Sequence, residues 1–448
     1  MGISREQAAQ LREDFMDDNG MSWTITGIQR IGMLEPDVTK GDVAILREHA
    51  KKVAEIASSP EEDRKRKLWS SHNSLEETVP LVFCDPEMAW YELISPAELK
   101  CVSKLAKAYE YRLLKEIYWA KNIRDDRVVR SEFPVHYLFS ETGRGVETIF
   151  KNDLKHGSMK WEAPLRDYNL LSILTPKRFI VDYNKTERFL ETAQMIFDGI
   201  LDVRLESSWW WSWGLTMDMV YLRGLEQFYY DMYEHENELH ALMAFLRDEA
   251  MGKLDFLEQN GLLSLNNTGD FIGTGGYGWC DELPAAGFDP SHVRTSDMWG
   301  YAESQETTGV SPEFFREFVF DYQLPILNRF GLNIYGCCEP LETRWQVVRE
   351  VPRLRRVTVS PWSDPDVMAE ALGKDYVYCG KVNPAYMAGE NMIEDAARRE
   401  IRNSFMASKK NGCPCEIMLR DVLTLSGNAD NAINWVKIAR EEAAAIYG

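Results

Sequence analysis

The stretch GLNIYGCCEP, residues 331–340, predicts a buried β-strand that ends in a glycine, two thiols and a carboxylate. Two stretches of the same character follow it, RVTVSPW at residues 356–362 and YVYCGKVNP at residues 376–384. Each is a short β-rich run that ends in polar residues, and helical patterns separate the runs. This alternation is typical of parallel strands joined by helices.

Similar runs continue on both sides of this region. The sequence predicts strands at Val79–Phe83, Arg127–Glu132, Leu201–Leu205, Gly261–Leu265, Gly331–Tyr335, Arg356–Ser360, Tyr376–Lys381 and Cys415–Arg420. Eight parallel strands are the number that closes a (β/α)8 barrel, and a chain of 448 residues can hold such a barrel with insertions. The predicted fold class is therefore α/β, a TIM barrel with an N-terminal helical extension.

The barrel is predicted to span residues 76–448, and residues 1–75 form a polar helical extension that packs outside it. Residues 139–177 are rich in glycine, proline and charge, which favours an inserted hairpin. Helices are predicted at Thr186–Gly199, Leu225–Asn260, Ser311–Arg329, Asp364–Leu372, Glu390–Lys409 and Asn428–Ile446. Ser311 and Asp364 each stand directly before a proline, in the N-cap position.

Charge and cysteine content exclude several classes of protein. The net charge is -20, and no run of lysine and arginine is long enough to neutralise a series of phosphates, so nucleic acid is not an expected partner. We find neither a signal-peptide pattern nor an apolar stretch of membrane-spanning length. The eight cysteines are therefore expected to be reduced thiols in a cytoplasmic protein with no membrane partner.

A barrel enzyme takes its site residues from the C-terminal ends of the strands. Cys337 and Glu339 follow the predicted fifth strand, and a thiolate with a carboxylate suits half of a zinc site or an acid/base pair. A structural alternative is also open, in which Cys337 packs in the barrel wall and Glu339 caps the next helix.

Lys381 and Asn383 end the predicted seventh strand, where a lysine can orient an anion. Asp421 follows the last strand and is expected to face the same opening. The alternative for Lys381 is an ion pair across the rim, and Asp421 is the acid that would complete it. Glu303 and Gln305 precede the Ser311 helix and supply polar groups from a loop, or else are ordinary solvated loop residues.

The segment WWWSW contributes four indoles, Trp209, Trp210, Trp211 and Trp213. Four indoles in five positions cannot all face one core, so some are predicted to line a cavity for a flat or apolar ligand. Packing against the N-terminal extension is the alternative. The glycine-rich stretch at residues 269–276 lacks the lysine and Ser/Thr of a phosphate loop and is predicted to be a flexible loop at the barrel mouth.

YGCCEP at residues 335–340, VSPW at 359–362 and GKVNP at 380–384 occur in an order that resembles the uroporphyrinogen decarboxylase superfamily. The resemblance runs from about Trp69 to the C-terminus. It points to a long-chain branch that is similar to the corrinoid-dependent methyltransferases of the O-demethylase type, and it implies the barrel fold. Residues 68–73 contain none of the arginines with which the decarboxylases bind porphyrinogen carboxylates, which argues against that reaction.

Several of these methyltransferases hold zinc through a His-x-Cys pair and a later cysteine. In this chain Tyr335 stands at the place of the histidine, Cys337 at that of its cysteine, and Asp421 near that of the later cysteine. The resemblance thus implies a zinc site built from Cys337, Glu339 and Asp421, although two of the three family ligands are replaced.

Together these features predict a methyltransferase that moves a methyl group from a methylated, methoxyaromatic substrate to the Co(I) corrinoid of a partner protein. We expect catalysis by Glu339, Asp421 and Lys381. The predicted substrate-binding residues are Trp209, Trp210, Trp211, Trp213, Tyr335, Asn383, Glu303 and Gln305. A decarboxylase or lyase acting on a small non-porphyrin carboxylic acid is the alternative, a non-catalytic binding barrel is a third reading, and a homodimer is an open oligomeric state.

Overall fold

The computed structural model describes residues 32–151, 160–206 and 209–448. Residues 1–31 of the predicted N-terminal extension and residues 152–159 of the predicted hairpin insertion lie outside the described residues. The strands are β1 Leu81–Cys84, β2 Glu132–His136, β3 Phe139–Glu141, β4 Ile149–Lys151, β5 Lys160–Glu162, β6 Phe179–Val181, β7 Asp202–Glu206, β8 Trp299–Ala302, β9 Leu332–Tyr335, β10 Leu354–Val359, β11 Val377–Lys381 and β12 Cys415–Leu419.

The helices confirm the helical patterns of the sequence within a few residues. They are α1 Lys40–Ala57, α2 Pro60–Asn73, α3 Trp90–Leu93, α4 Lys104–Tyr118, α5 Tyr183–Phe197, α6 Thr216–Arg223, α7 Leu225–Glu234, α8 Glu236–Gln259, α9 Pro312–Phe315, α10 Asp321–Leu327, α11 Trp345–Val348, α12 Pro365–Leu372, α13 Glu394–Asn411 and α14 Asp430–Tyr447. Ser311 and Asp364 cap α9 and α12 as predicted, each accepting a backbone N–H through its side chain. Within the described ranges, no helix combines the length and apolar character needed to cross a bilayer.

The centre of the molecule is a six-stranded parallel sheet with the order β1-β12-β11-β10-β9-β8. β2 and β7 form a separate parallel pair. The mixed α/β class is confirmed. Among the described residues the backbone hydrogen bonds do not join the pair to the sheet, so the closed barrel stays a prediction.

Side chains occupy the two free edges of the sheet. At β1, the amides of Val82 and Cys84 each donate to a carboxylate, that of Asp126 and that of Asp125 respectively, at 2.8 Å. At β8, the Asn266 side chain accepts from the Trp299 amide and donates to the Trp299 carbonyl. The edge groups are therefore satisfied without a neighbouring strand, which explains why the ladders remain separate.

The β2–β7 pair has its own hydrophobic core, formed with α1, α4 and α5. The larger core fills the space between the six-stranded sheet and the helices that follow its strands. The predicted insertion after β2 is confirmed as antiparallel structure, since β3 pairs with β6 and β4 with β5.

The fourth predicted strand, Gly261–Leu265, was wrong. These residues form no ladder, and the parallel strand between β7 and β9 is β8, Trp299–Ala302. The second predicted strand is displaced, because the chain becomes a strand only at Glu132. Upstream of Glu132, the amide of Val129 donates to the Glu62 side chain instead of a neighbouring strand.

The glycine-rich loop, residues 269–276, does not lie free at a barrel mouth. It packs against the face of the six-stranded sheet that carries Tyr301 and Glu416, which we call the inner face. A Cβ on Gly276 would lie 2.7 Å from both carboxylate oxygens of Glu416 and from the Trp69 ring, and one on Gly273 would overlap Tyr301. The prediction of a flexible loop was wrong, because glycine here permits close approach. Part of the N-terminal extension enters the same space, since Trp69 near the end of α2 is fully buried.

Candidate active site

The C-terminal ends of β9, β11 and β12 bring a thiol, an amine and a carboxylate together. Lys381 Nζ lies 3.6 Å from Cys337 Sγ and 3.5 Å from Asp421 Oδ2. Burial by itself lowers the pKa of Lys381, but its two partners outweigh that effect and raise the pKa. Lys381 therefore stays a cation that is only 6% exposed to solvent. Its ion pair with Asp421 is the rim contact that the sequence left open as an alternative.

The two adjacent thiols behave differently. The sulphur atoms of Cys337 and Cys338 are 3.6 Å apart. The pKa of Cys337 is raised, first by its hydrogen bond to Cys338 and then by burial, whereas the pKa of Cys338 is lowered because it accepts that bond. Cys338 is thus the more acidic thiol and the one with solvent contact.

Glu339 links two strand ends. Its Oε1 accepts from the amide of Ser304 at 2.8 Å, and its Oε2 accepts from the amide of Cys337 at 3.0 Å. The side chain is fully buried, and burial raises its pKa although both amides act in the opposite direction. These two hydrogen bonds satisfy backbone amides just after β8 and β9, so Glu339 does not cap the next helix. Its catalytic role stays a prediction.

Glu303, directly after β8, is a buried carboxyl in a strongly acidic setting. Its pKa is raised well above the ordinary value, first by burial and then by the nearby carboxylates of Glu306 and Glu339. Ser212 Oγ donates to Glu303 Oε1 at 3.2 Å, and the Gln305 amide donates to Oε2 at 3.1 Å. Burial and the neighbouring carboxylates therefore both favour the protonated form of Glu303.

The four predicted indoles separate into core and surface groups. Trp209 and Trp213 are buried, and Trp209 donates its indole N–H to the Leu262 carbonyl at 2.8 Å. Trp211 is 40% exposed, and its ring centroid lies 5.6 Å from that of Tyr301. The alternative of packing against the N-terminal extension does not describe Trp209, which stacks on Tyr137 instead.

Two other predicted substrate residues have structural contacts. Tyr335 is fully buried and donates its hydroxyl to Gln323 Oε1 at 2.8 Å, away from the Lys381 group. Asn383 Oδ1 accepts from the Ala385 amide at 3.0 Å and caps the short helical turn that follows β11. Both side chains thus take part in local structural hydrogen bonds, with the Tyr335 hydroxyl and the Asn383 Oδ1 as the atoms involved.

A cleft of about 440 Å³ opens beside Lys381, between the ends of β10 and β11 and the helices α12 and α13. It is lined by Val359, Ser360, Pro361, Ser363, Pro365, Tyr378, Lys381, Tyr386, Ala396, Arg399, Glu400, Asn403 and Ser404. Of these residues, only Lys381 was among the site residues predicted from the sequence. The amphipathic pattern of α13 gives no sign that its polar residues Arg399, Glu400 and Asn403 line a cleft.

The chain is similar to solved structures, but not to any known family model or curated sequence. No family model matches the chain, and no curated protein matches it. One similar solved structure is described as a methyltransferase from Methanosarcina mazei. The two chains share 8% sequence identity, the alignment covers 86% of this chain and 98% of that one, and the TM-score is 0.44.

The residues expected to hold zinc do not fit that ion. Both oxygens of Glu339 are taken by backbone amides, and Asp421 lies on the Lys381 ammonium. Within the described ranges, no group of three histidine, cysteine, aspartate or glutamate side chains converges as a metal site would require. We therefore derive no chemical step through a metal.

One contact at the rim was missed by the sequence analysis. Arg420 forms an ion pair with Glu87, and Glu87 also accepts from the amide of Asp421 at 2.8 Å. This ties the end of β12 to the turn after β1 and fixes the backbone of Asp421, which has a φ of 60°. No sequence motif indicates this ion pair, because Glu87 and Arg420 meet only when β1 and β12, which are far apart in the chain, lie side by side in the sheet.

Proposed function

We propose that this protein is a distant member of the uroporphyrinogen decarboxylase superfamily that demethylates a methoxyaromatic compound and passes the methyl group to the corrinoid of a partner protein. The observation that carries the proposal is a buried carboxyl with a raised pKa, Glu303, which accepts a hydrogen bond from Ser212, the residue that follows the part-exposed indole of Trp211. Ser212 joins the two, because it follows Trp211 directly and its hydroxyl donates to Glu303.

Cleavage of an O-methyl bond needs a nucleophile for the methyl carbon and a proton for the departing oxygen. The partner's corrinoid would supply the nucleophile as Co(I). Glu303 gives its proton to the phenolic oxygen as the carbon–oxygen bond breaks, so the product leaves as a phenol and Glu303 becomes a carboxylate. The Ser212 hydroxyl and the Gln305 amide are already placed to hydrogen-bond that carboxylate.

Trp211 provides a flat surface for the substrate ring. Its indole is part exposed while its edge contacts Tyr301, so the ring is held in one orientation without being covered. Lys381 places a buried positive charge at the C-terminal edge of the same parallel sheet, where it stabilises negative charge that develops on the substrate.

The proposal is tested by measuring methyl loss from a panel of methoxyaromatics and methylated amines, with and without a reduced corrinoid protein. We expect transfer from a methoxyaromatic only when the corrinoid protein is present. Glu303→Gln should lower the rate by about 10²–10⁴-fold, because the amide cannot give the proton.

The matched control is Glu258→Gln. Glu258 is a half-buried glutamate that, like Glu303, accepts from a backbone amide and a hydroxyl, but both belong to Thr295, before the opposite end of β8. Its substitution should leave the rate within about twofold of wild type, since it lies outside the catalytic group. Methyl transfer that is equally fast in Glu303→Gln, or absent from every combination, contradicts the proposal.

A lyase acting on a small carboxylic acid is the second candidate, and the cleft favours it. Lys381 puts a cation on the wall of a cleft that would hold a carboxylate. Such an enzyme would release carbon dioxide from its substrate with no corrinoid protein present. Detecting that release, together with its loss in Lys381→Met, would favour the lyase over the methyltransferase.

A further inference from the structure

The neighbouring thiols of Cys337 and Cys338 form a pair that differs from the other cysteines. All eight cysteines lie in the described residues, and Cys338 is the one that is not buried. Its sulphur lies 3.6 Å from that of Cys337, which in turn lies 3.6 Å from Lys381 Nζ. A solvent-accessible thiol with a second thiol in contact is the arrangement found in redox-active cysteine pairs.

We propose that Cys337 and Cys338 are a reversible oxidation site, at which a hydroperoxide converts the two thiols into a disulfide between adjacent residues. Cys338 is the thiol that meets the oxidant, and Cys337 is the resolving thiol. The proposal is independent of the methyl transfer suggested above, because it concerns the chemistry of the thiols alone.

The reaction balances with hydrogen peroxide as the oxidant. The Cys338 thiolate attacks one peroxide oxygen, the O–O bond breaks, and a sulphenic acid and hydroxide form; the hydroxide takes up the proton that Cys338 released and becomes water. The Cys337 thiol then attacks the sulphenic sulphur, the S–O bond breaks, and a second water leaves. Two thiols are oxidised and one peroxide is reduced to two waters.

The surroundings support both steps. Lys381 Nζ, 3.6 Å from Cys337 Sγ, stabilises negative charge on the sulphur atoms. The second thiol does not have to travel far to reach the first, since the sulphurs are already in contact. A disulfide between neighbours is strained, because consecutive Cα atoms are about 3.8 Å apart against roughly 4.4–6.8 Å in ordinary disulfides, and strain makes the bond easy to reduce.

The chain contains a matched control pair. Cys413 and Cys415 are two residues apart, both are buried, and the Cys413 thiol donates to the Ala369 carbonyl at 3.3 Å. They are as close in sequence as a redox motif requires but have no solvent contact. We expect them to stay reduced under conditions that oxidise Cys337 and Cys338.

The experiment treats the full reduced chain with hydrogen peroxide, alkylates the remaining thiols under denaturing conditions and weighs the tryptic peptides. Cleavage after Arg329 and Arg344 gives one peptide with Cys337 and Cys338, and cleavage after Lys410 and Arg420 gives the control peptide. The first should become lighter by two hydrogen atoms, resist alkylation and recover after treatment with dithiothreitol.

In Cys337→Ala the same treatment should leave a sulphenic or sulphinic acid on Cys338 and no disulfide. The proposal is overturned if the wild-type peptide stays fully alkylatable, or if the control pair oxidises at the same rate. It is also overturned if Cys337 and Cys338 acquire oxygen separately without loss of hydrogen. Even if a variant fails to fold, the proposal is still tested by comparing the two peptides from the wild-type protein.

Discussion

Arg356 and Glu416 form an ion pair inside the parallel sheet, with Arg356 Nε 3.1 Å from Glu416 Oε1 and both side chains fully buried. His72 Nε2 lies 3.1 Å from the other carboxylate oxygen. Burial alone would raise the pKa of Glu416, but Arg356 and then His72 hold it below the ordinary range. Burial lowers the pKa of His72, so the imidazole is neutral. The negative charge of Glu416 is therefore balanced by Arg356.

Removing one partner of this pair should be far more costly than removing an exposed arginine. Arg356→Met leaves the Glu416 carboxylate buried without its counter-charge, and we expect a loss of about 3–5 kcal/mol in the free energy of unfolding. Arg316→Met breaks an exposed pair with Glu350 and should stay within about 1 kcal/mol of wild type. Urea unfolding measures both, and equal losses would contradict the assignment.

The raised pKa of Glu303 predicts a pH dependence of stability. Its ordinary value is near 4.5 and its folded value is higher, so the folded chain binds this proton more tightly than the unfolded chain does. The contribution of Glu303 is fully present below pH 4.5 and is lost as the pH rises through the folded pKa. Glu303→Gln should remove that loss. The free energy of unfolding of wild type, minus that of the variant, should therefore decrease as the pH rises from acidic to alkaline values. A constant difference would show that the pKa of Glu303 is the same in the folded and the unfolded chain.

Gly276→Ala should destabilise the protein. The new methyl group would meet Glu416, which Arg356 and His72 hold in place, as well as the Trp69 ring. We expect a loss of about 1–3 kcal/mol from overpacking. The control is Gly252→Ala in the exposed middle of α8, where nothing lies within 4 Å of the added carbon and helix propensity predicts a gain of about 1 kcal/mol. Thermal or urea unfolding of both variants gives the comparison.

Trp209 and Trp211 should respond differently to truncation. Trp209→Ala removes a buried indole and its hydrogen bond to Leu262 and should cost about 3–5 kcal/mol of stability. Trp211→Ala should change stability by about 0.5 kcal/mol or less, because the side chain is part exposed. Its effect should appear instead as a higher KM for the methoxyaromatic. A Trp211→Ala enzyme with unchanged KM would remove the indole from the substrate site.

The strand pattern predicted most of the sheet because its central strands are buried on both faces. β9 to β12 are short, almost entirely buried β-rich runs that end at turn residues, and their positions are confirmed. β8 was missed because glycine and aromatic residues replace the usual branched side chains. Gly300 within it is required by space, since a Cβ there would overlap Asn333 and Phe330. Contacts between residues distant in sequence therefore require glycine at position 300, and no local sequence pattern indicates this requirement.

The candidate site was predictable only as a set of strand ends. Because parallel strands end at one edge, Cys337, Lys381 and Asp421 could be expected to meet, and they do lie in contact. The pKa shifts of the acids could not be predicted, since they depend on hydrogen bonds and burial. Burial raises the pKa of both Glu339 and Glu303, but Glu339 is held by two amides, whereas Glu303 also lies near the carboxylates of Glu306 and Glu339, which raise its pKa further.

The glycine loop on the inner face of the sheet has a consequence for how the chain is made. Gly276 packs between Trp69, near the start of the described chain, and Glu416, in the last strand. During synthesis the ribosome releases Glu416 long after the other two, so the aromatic and apolar groups around Gly276 have no final partners until β12 has been synthesised. These groups are therefore exposed on the nascent chain over the whole interval between the synthesis of α2 and that of β12.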